Sequence, residues 1–152
     1  MTNPAETLIA HALNLRWSDV PETARSAART FLHDSLCVGV AGRNAPFADA
    51  VLTAARAWGE GGDASVLGRP EVRLPAPQAA FVNAFQIHSQ EFDCVHEPAV
   101  VHPLATIVAA LFAEAERSGP YTGEALLTAI VAGVDVSAGL GVAASKALTF
   151  FR

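Results

Sequence analysis

Residues 125–144 hold one charged side chain, Asp135, in twenty positions. A helix that apolar is stable only where most of its surface leaves water. The stretch is long enough to cross a bilayer. Against a membrane stand the central Asp135, worth about 3 kcal/mol of penalty at mid-bilayer, and the absence of a flanking aromatic belt or basic cluster. Gly133, Ser137, Gly141 and Ser145 recur every fourth position, so they line one helical face that a second helix can approach closely. The reading adopted is a deeply buried central helix, and not a membrane span.

The rest of the chain carries helical punctuation around one extended interruption. Asn3-Pro4 followed by Glu6 is a start signal, with a capping side chain, a proline in the first turn and an acid near the positive helix end. Leu8, Ile9, Ala12 and Leu13 continue it toward Trp17. A second start at Ser18-Asp19-Val20-Pro21-Glu22 leads into Ala24, Ala27, Ala28, Phe31, Leu32, Ser35 and Leu36, one predicted buried face. Gly39, Gly42 and Asn44-Ala45-Pro46 are expected to end that helix. Shorter helices are predicted over Phe47–Trp58, Pro77–His88 and Pro103–Arg117, with the last helix from Thr122 onward. Between Ala64 and Pro75, two apolar runs flank Gly68-Arg69-Pro70, the pattern of a small hairpin. The fold class expected is mainly α: a bundle-like set of helices with an extended segment near 64–75. At 152 residues the chain has the size of one domain.

Charge and cysteine content narrow the function classes. A net charge of −5, with ten scattered basic residues of which nine are arginine, offers no stripe to neutralise phosphates, so nucleic acid is not an expected partner. Cys37 and Cys94 do not form a disulfide framework, and Cys37, within LCVGV, is expected to be a buried thiol in a reducing compartment. The N-terminus has acid where a secretory signal needs base, which makes the cytoplasm the expected location. The chain finishes on Thr149-Phe150-Phe151-Arg152, an apolar end expected to meet a partner surface or a continuation of the polypeptide.

Only 16% of the residues are charged, so chemistry-bearing side chains are scarce, and they concentrate in one place. His88–Pro103 reads HSQEFDCVHEPAVVHP and holds His88, His96, His102, Glu91, Asp93, Glu97 and Cys94. The segment reads as one wall of an active site. Histidine beside carboxylate can divide acid and base roles. His102 precedes Pro103, which pushes its backbone extended and aims its side chain off a helix end. Glu91 and Asp93 flank Phe92, so in an extended segment both carboxylates face one way, and such a pair can push one pKa up. The plainer alternative is a solvated loop with capping histidines. Metal ligation is a further alternative, since H-x2-E and D-x2-H spacings occur, although neither HExxH nor CxxC is present. A nucleophilic Cys94 is disfavoured, because in an extended strand it cannot readily hydrogen-bond His96.

Several ordered pieces resemble the N-terminal part of the MmgE/PrpD family, which includes 2-methylcitrate dehydratase and cis-aconitate decarboxylase. They are ARTFLHDSLCVGVAG (28–42), ASVLG (64–68), PQAAFVNAFQIHSQEFDCVH (77–96), HPLATIVAALFAEAE (102–116) and GEALLTAIVAGVDVSAGLG (123–141). The third resembles the family's N-G-x-x-x-H-x-x-D-F-D-D-T-H signature and the fourth its H-P helix. The resemblance implies that residues 1–152 are the N-terminal portion of a large helical domain, with the family's smaller α+β lid lying beyond this chain. It also implies proton abstraction beside a carboxylate of a di- or tricarboxylic acid, with neither metal nor organic cofactor. Loss of water, of carbon dioxide or of a proton alone then sets the product.

By position, the resemblance implies catalytic roles for His102, Glu91 and Asp93, and substrate-binding roles for His88, His96 and Arg152. Glu91 stands for the signature's first aspartate and Asp93 for its second. Cys94 and Val95 replace its third aspartate and its threonine. Arg152 stands where relatives carry a site histidine, and suits carboxylate binding. Implied partners are the small carboxylate and either identical subunits, as in a homodimer, or the remainder of the enzyme. The leading reading is thus a dehydratase-type carboxylate lyase. The others are a decarboxylase or epimerase of the same family, a non-catalytic helical piece that binds a partner, and a small metal-binding protein.

Overall fold

A computed structural model describes residues 3–144. Arg152, the Phe150-Phe151 pair and Ser145 of the small-residue repeat lie outside the described residues. Among the described residues there are six α-helices and one two-stranded antiparallel sheet, so the protein is mainly α. The helices are α1 (Pro4–Asn14), α2 (Glu22–Gly42), α3 (Ala48–Trp58), α4 (Ala76–His88), α5 (Pro103–Ser118) and α6 (Gly123–Ala144). Strands β1 (Ala64–Val66) and β2 (Arg69–Leu74) form the hairpin. Asn3 caps α1 through its side-chain oxygen, which accepts from the Ala5 N–H at 3.1 Å. Prolines stand in the first turns of α1, α4 and α5, where their missing N–H costs nothing.

Helix α2 does not stop at Gly39. It continues to Gly42, because these glycines serve close approach to α4. A Cβ at Gly39 would sit 2.9 Å from Ile87 Cγ1, and one at Gly42 would overlap the Gln86 backbone. Helix α4 then pins the hairpin with two buried amides. Asn83 Oδ1 accepts from Leu67 N–H at 2.8 Å and its Nδ2 donates to Ser65 O at 2.9 Å. Gln86 Nε2 donates to Leu67 O at 2.8 Å and to Gly39 O at 3.0 Å. Gly68 turns the hairpin at φ +70°, a left-handed conformation that glycine adopts freely, while Arg69, expected in the turn, begins β2.

Two apolar clusters form the core. Leu52, Val66, Val72, Leu74 and Val82 join α3, the hairpin and α4. Ile87, Leu104, Val108 and Ile130 join α4, α5 and α6. The small residues of α6 act as expected at two points. Gly133 lies against Ile107 of α5, and Gly141 against Ala99. Yet α6 is not deeply buried. Of its residues only Ile130 and Gly141 are fully covered, and 11% of its most apolar window is buried, because α1, α2, α5 and the short 3-10 turns Trp17–Asp19 and Glu97–Ala99 pack along it without enclosing it. By length and composition it could cross a membrane. Its central Asp135 meets His11 Nε2 at 2.8 Å, both side chains being partly exposed. Two further expectations fail on α2. Phe31 is 45% exposed, and Cys37 is exposed beside His33, one turn away on the same outward face.

Candidate active site

The C-terminus of α4 and the N-terminus of α5 lie side by side and carry His88 and His102. The loop between them returns Asp93 beneath both rings. Its turn begins where the Glu91 N–H donates to His88 O at 2.9 Å, with Glu91 left-handed at φ +55°. That conformation is uncommon for a residue with a Cβ. It separates the two carboxylates that an extended segment would have aligned. The Asp93 side chain is fully buried, at 0% exposure, whereas that of Glu91 is 71% exposed. The expectation of a paired, like-facing Glu91 and Asp93 is therefore corrected: they approach His88 at opposite ring nitrogens.

The distances define the cluster. His88 Nδ1 lies 3.1 Å from Asp93 Oδ1 and 3.3 Å from Oδ2, and His88 Nε2 lies 3.4 Å from Glu91 Oε1. His102 Nδ1 is 3.4 Å from Asp93 Oδ2. It is buried and makes no hydrogen bond. The two imidazoles pack edge to face with centroids 4.8 Å apart. An ionised carboxylate only accepts hydrogen bonds, so Asp93 selects the His88 tautomer that carries its proton on Nδ1. Nε2 is then left with a lone pair on the outer edge of the ring. His102, before Pro103, is kept out of the helical region as expected, but at φ −104°, ψ 80° it falls short of the fully extended backbone.

The histidine pair stands between two openings. One, of about 520 Å³, is walled by His88, His102, Glu91, Glu97, Val95 and Val100. The other, of about 500 Å³, is apolar, with Phe81, Ala84, Phe85 and Ala105 along it. No arginine or lysine lines either opening among the described residues. Val100 is left-handed at φ +57°, a strained state for a β-branched side chain and a kind of strain that collects at functional sites.

His96 stands apart from this cluster. It heads the short 3-10 turn Glu97–Ala99, where its Nδ1 accepts from the Ala99 N–H at 3.2 Å. Burial pushes the Cys94 thiol above its ordinary range, a backbone hydrogen bond from Leu104 partly opposes this, and the charges of Asp93 and Asp34 add to the rise. A raised thiol is a poor nucleophile. Val100 and the apolar wall at Phe81 and Phe85 carry no motif in the sequence that marks them as part of a site. The wall has a weaker signal, the one-turn spacing of its two phenylalanines; the left-handed residues have none.

The MmgE/PrpD N-terminal domain profile matches residues 6–149. Human cis-aconitate decarboxylase is 43% identical over 75 residues, covering 47% of this chain and 15% of that protein. The mouse enzyme is 32% identical over 112 residues, or 72% of this chain and 23% of its own length. The cis-aconitate decarboxylase-like protein oryM of Aspergillus oryzae (strain ATCC 42149 / RIB 40) is 30% identical over 136 residues, or 85% and 28%. The chain thus spans between 15% and 28% of the length of these relatives. With that profile running along nearly all of its length, the chain belongs to the MmgE/PrpD family and matches its N-terminal domain.

Proposed function

We propose that this chain supplies the histidine half of a carboxylate-lyase active site, in which His88 and His102 move protons at a carbon beside a carboxylate of a di- or tricarboxylic acid. The observation that carries the reading is the fully buried Asp93 set beneath both imidazoles. Removing a proton next to a carboxylate calls for a positioned base whose conjugate acid is stabilised in place. An imidazole with Nδ1–H on a buried carboxylate meets both needs. A second imidazole 4.8 Å away, centroid to centroid, lets one ring act as base while the other delivers a proton to the departing group or to the opposite face. Asp93, having no exposed side-chain surface, acts through the rings, and exposed Glu91 stands at the outer nitrogen of His88.

The relatives' names favour loss of carbon dioxide, and the same constellation serves dehydration or epimerisation. The openings hold no arginine or lysine among the described residues. We therefore assign the neutralisation of substrate carboxylates to residues beyond those described, Arg152 among them, or to an identical subunit. The uncovered surface of α6 meets protein in this reading, since the helix carries Asp135 at its middle, half-exposed and in polar contact with His11 of α1, an arrangement unsuited to lipid. The test is product analysis by proton NMR on the complete polypeptide that carries this chain, supplied with cis-aconitate and with citrate-type hydroxy acids. Turnover of at least one of them by loss of carbon dioxide, by loss or gain of water, or by inversion is expected. Inertness toward all of them would sink the proposal.

A further inference from the structure

We infer that the outer face of the histidine pair is a binding site for a divalent ion of the Zn²⁺ class, held by His88, His102 and Glu91. One ligand atom from each of these residues lies within 4.8 Å of the other two. Around tetrahedral zinc, with bonds of about 2.0–2.1 Å, neighbouring ligand atoms stand about 3.4 Å apart. His88 Nε2 and Glu91 Oε1 are already at 3.4 Å. The remaining separations, none above 4.8 Å, exceed that spacing by at most about 1.4 Å, so small side-chain adjustments of Glu91, 71% exposed, and of the two rings close the triangle. Two imidazoles and one carboxylate suit a borderline ion such as Zn²⁺, with water completing the sphere.

The second observation lies behind the ligands. A metal-bound histidine almost always donates its other ring N–H to a carboxylate, which fixes the tautomer and raises ligand basicity. Asp93 occupies that place for both rings, at 3.1 Å from His88 Nδ1 and 3.4 Å from His102 Nδ1. His102 Nδ1 is buried and without a hydrogen bond, so a ligand that draws the ring onto Asp93 satisfies it. The ion occupies the lone pairs on which proton transfer depends, so a bound ion blocks that chemistry. The blocking rests on the function proposed above. The binding does not.

Calorimetric titration of the complete polypeptide with ZnCl₂, and absorption spectroscopy with Co²⁺, test the site. One ion per chain is expected, with a Co²⁺ spectrum free of thiolate charge transfer. Glu91→Gln and His102→Gln each weaken binding at least tenfold. Asp93→Asn weakens it by about 10–100-fold, as loss of an outer-shell carboxylate does. Glu91 is exposed, so its variant keeps the fold, and unchanged circular dichroism checks this. Cys37→Ser leaves binding intact, although Cys37 and His33 form another pair, 3.7 Å apart. The inference is overturned by absence of a stoichiometric ion, by thiolate bands, or by binding that survives Glu91→Gln and His102→Gln. Zinc binding in a protein that turns over no carboxylate would refute the proposed function and leave this site standing.

Discussion

Asp93→Asn separates holding the site together from making it work. The substitution keeps size and removes charge. The wild-type carboxylate accepts from His88 Nδ1–H at 3.1 Å, a charge-assisted bond worth about 1.5–3 kcal/mol, against about 0.5–1.5 kcal/mol for a neutral one. The contact to His102 forms no hydrogen bond and adds little. Burying a neutral amide also avoids the desolvation of an anion. The stability loss is therefore below about 2 kcal/mol. The effect on chemistry is larger. An asparagine oxygen can accept from one Nδ1–H, but its NH₂ faces the other ring and forces that imidazole to carry its proton on Nε2. In a Ser-His-Asp triad the same change lowers turnover about 10⁴-fold by imposing the wrong tautomer. A fall of about 10²–10⁴ in turnover is expected here. Urea denaturation, steady-state rates and ¹⁵N spectra of the imidazoles measure the three quantities. Unchanged tautomers, or turnover within threefold of wild type, would refute the reasoning.

Gly42→Ala places a Cβ against the Gln86 backbone, which no rotamer change relieves. The clash outweighs the gain of about 1 kcal/mol in helix propensity and destabilises the protein by about 1–3 kcal/mol; an undiminished thermal midpoint would contradict the α2–α4 contact. For the cysteines, iodoacetamide at pH 8 should label exposed Cys37 well before Cys94, whose thiol is raised by burial. Because a raised pKa keeps the group protonated to higher pH, Cys94 labelling should accelerate as pH climbs past the usual thiol range. Equal rates by mass spectrometry at pH 8 would count against that burial.

The helices were legible because their boundaries are local chemistry: Asn3 as cap, prolines in first turns, Gly68 in a hairpin turn. Gly39 misled for a physical reason, whereas Gly42 does end the helix. A glycine that ends a helix and a glycine that admits a neighbouring helix look alike until the neighbour is known. The stripe at Gly133 and Gly141 marked real close approaches, but how much of α6 is covered depends on elements remote in sequence. Within the site, the segment was identifiable from scarcity alone, six titratable side chains beside Cys94 in a chain poor in charge. Its internal geometry was not. A single left-handed residue, Glu91, turns two like-facing carboxylates into one buried and one exposed. His96, third of the clustered histidines, caps a turn instead of joining the pair.

The most direct measurement is solvent exchange at the substrate carbon. In deuterium oxide, the complete polypeptide bearing this chain should wash deuterium into the position beside the carboxylate of its substrate, as read by proton NMR. His102→Gln should slow that exchange at least a hundredfold while leaving the circular dichroism of the helices unchanged. Exchange that continues at the wild-type rate in a folded His102→Gln variant would contradict the assignment of proton transfer to the histidine pair.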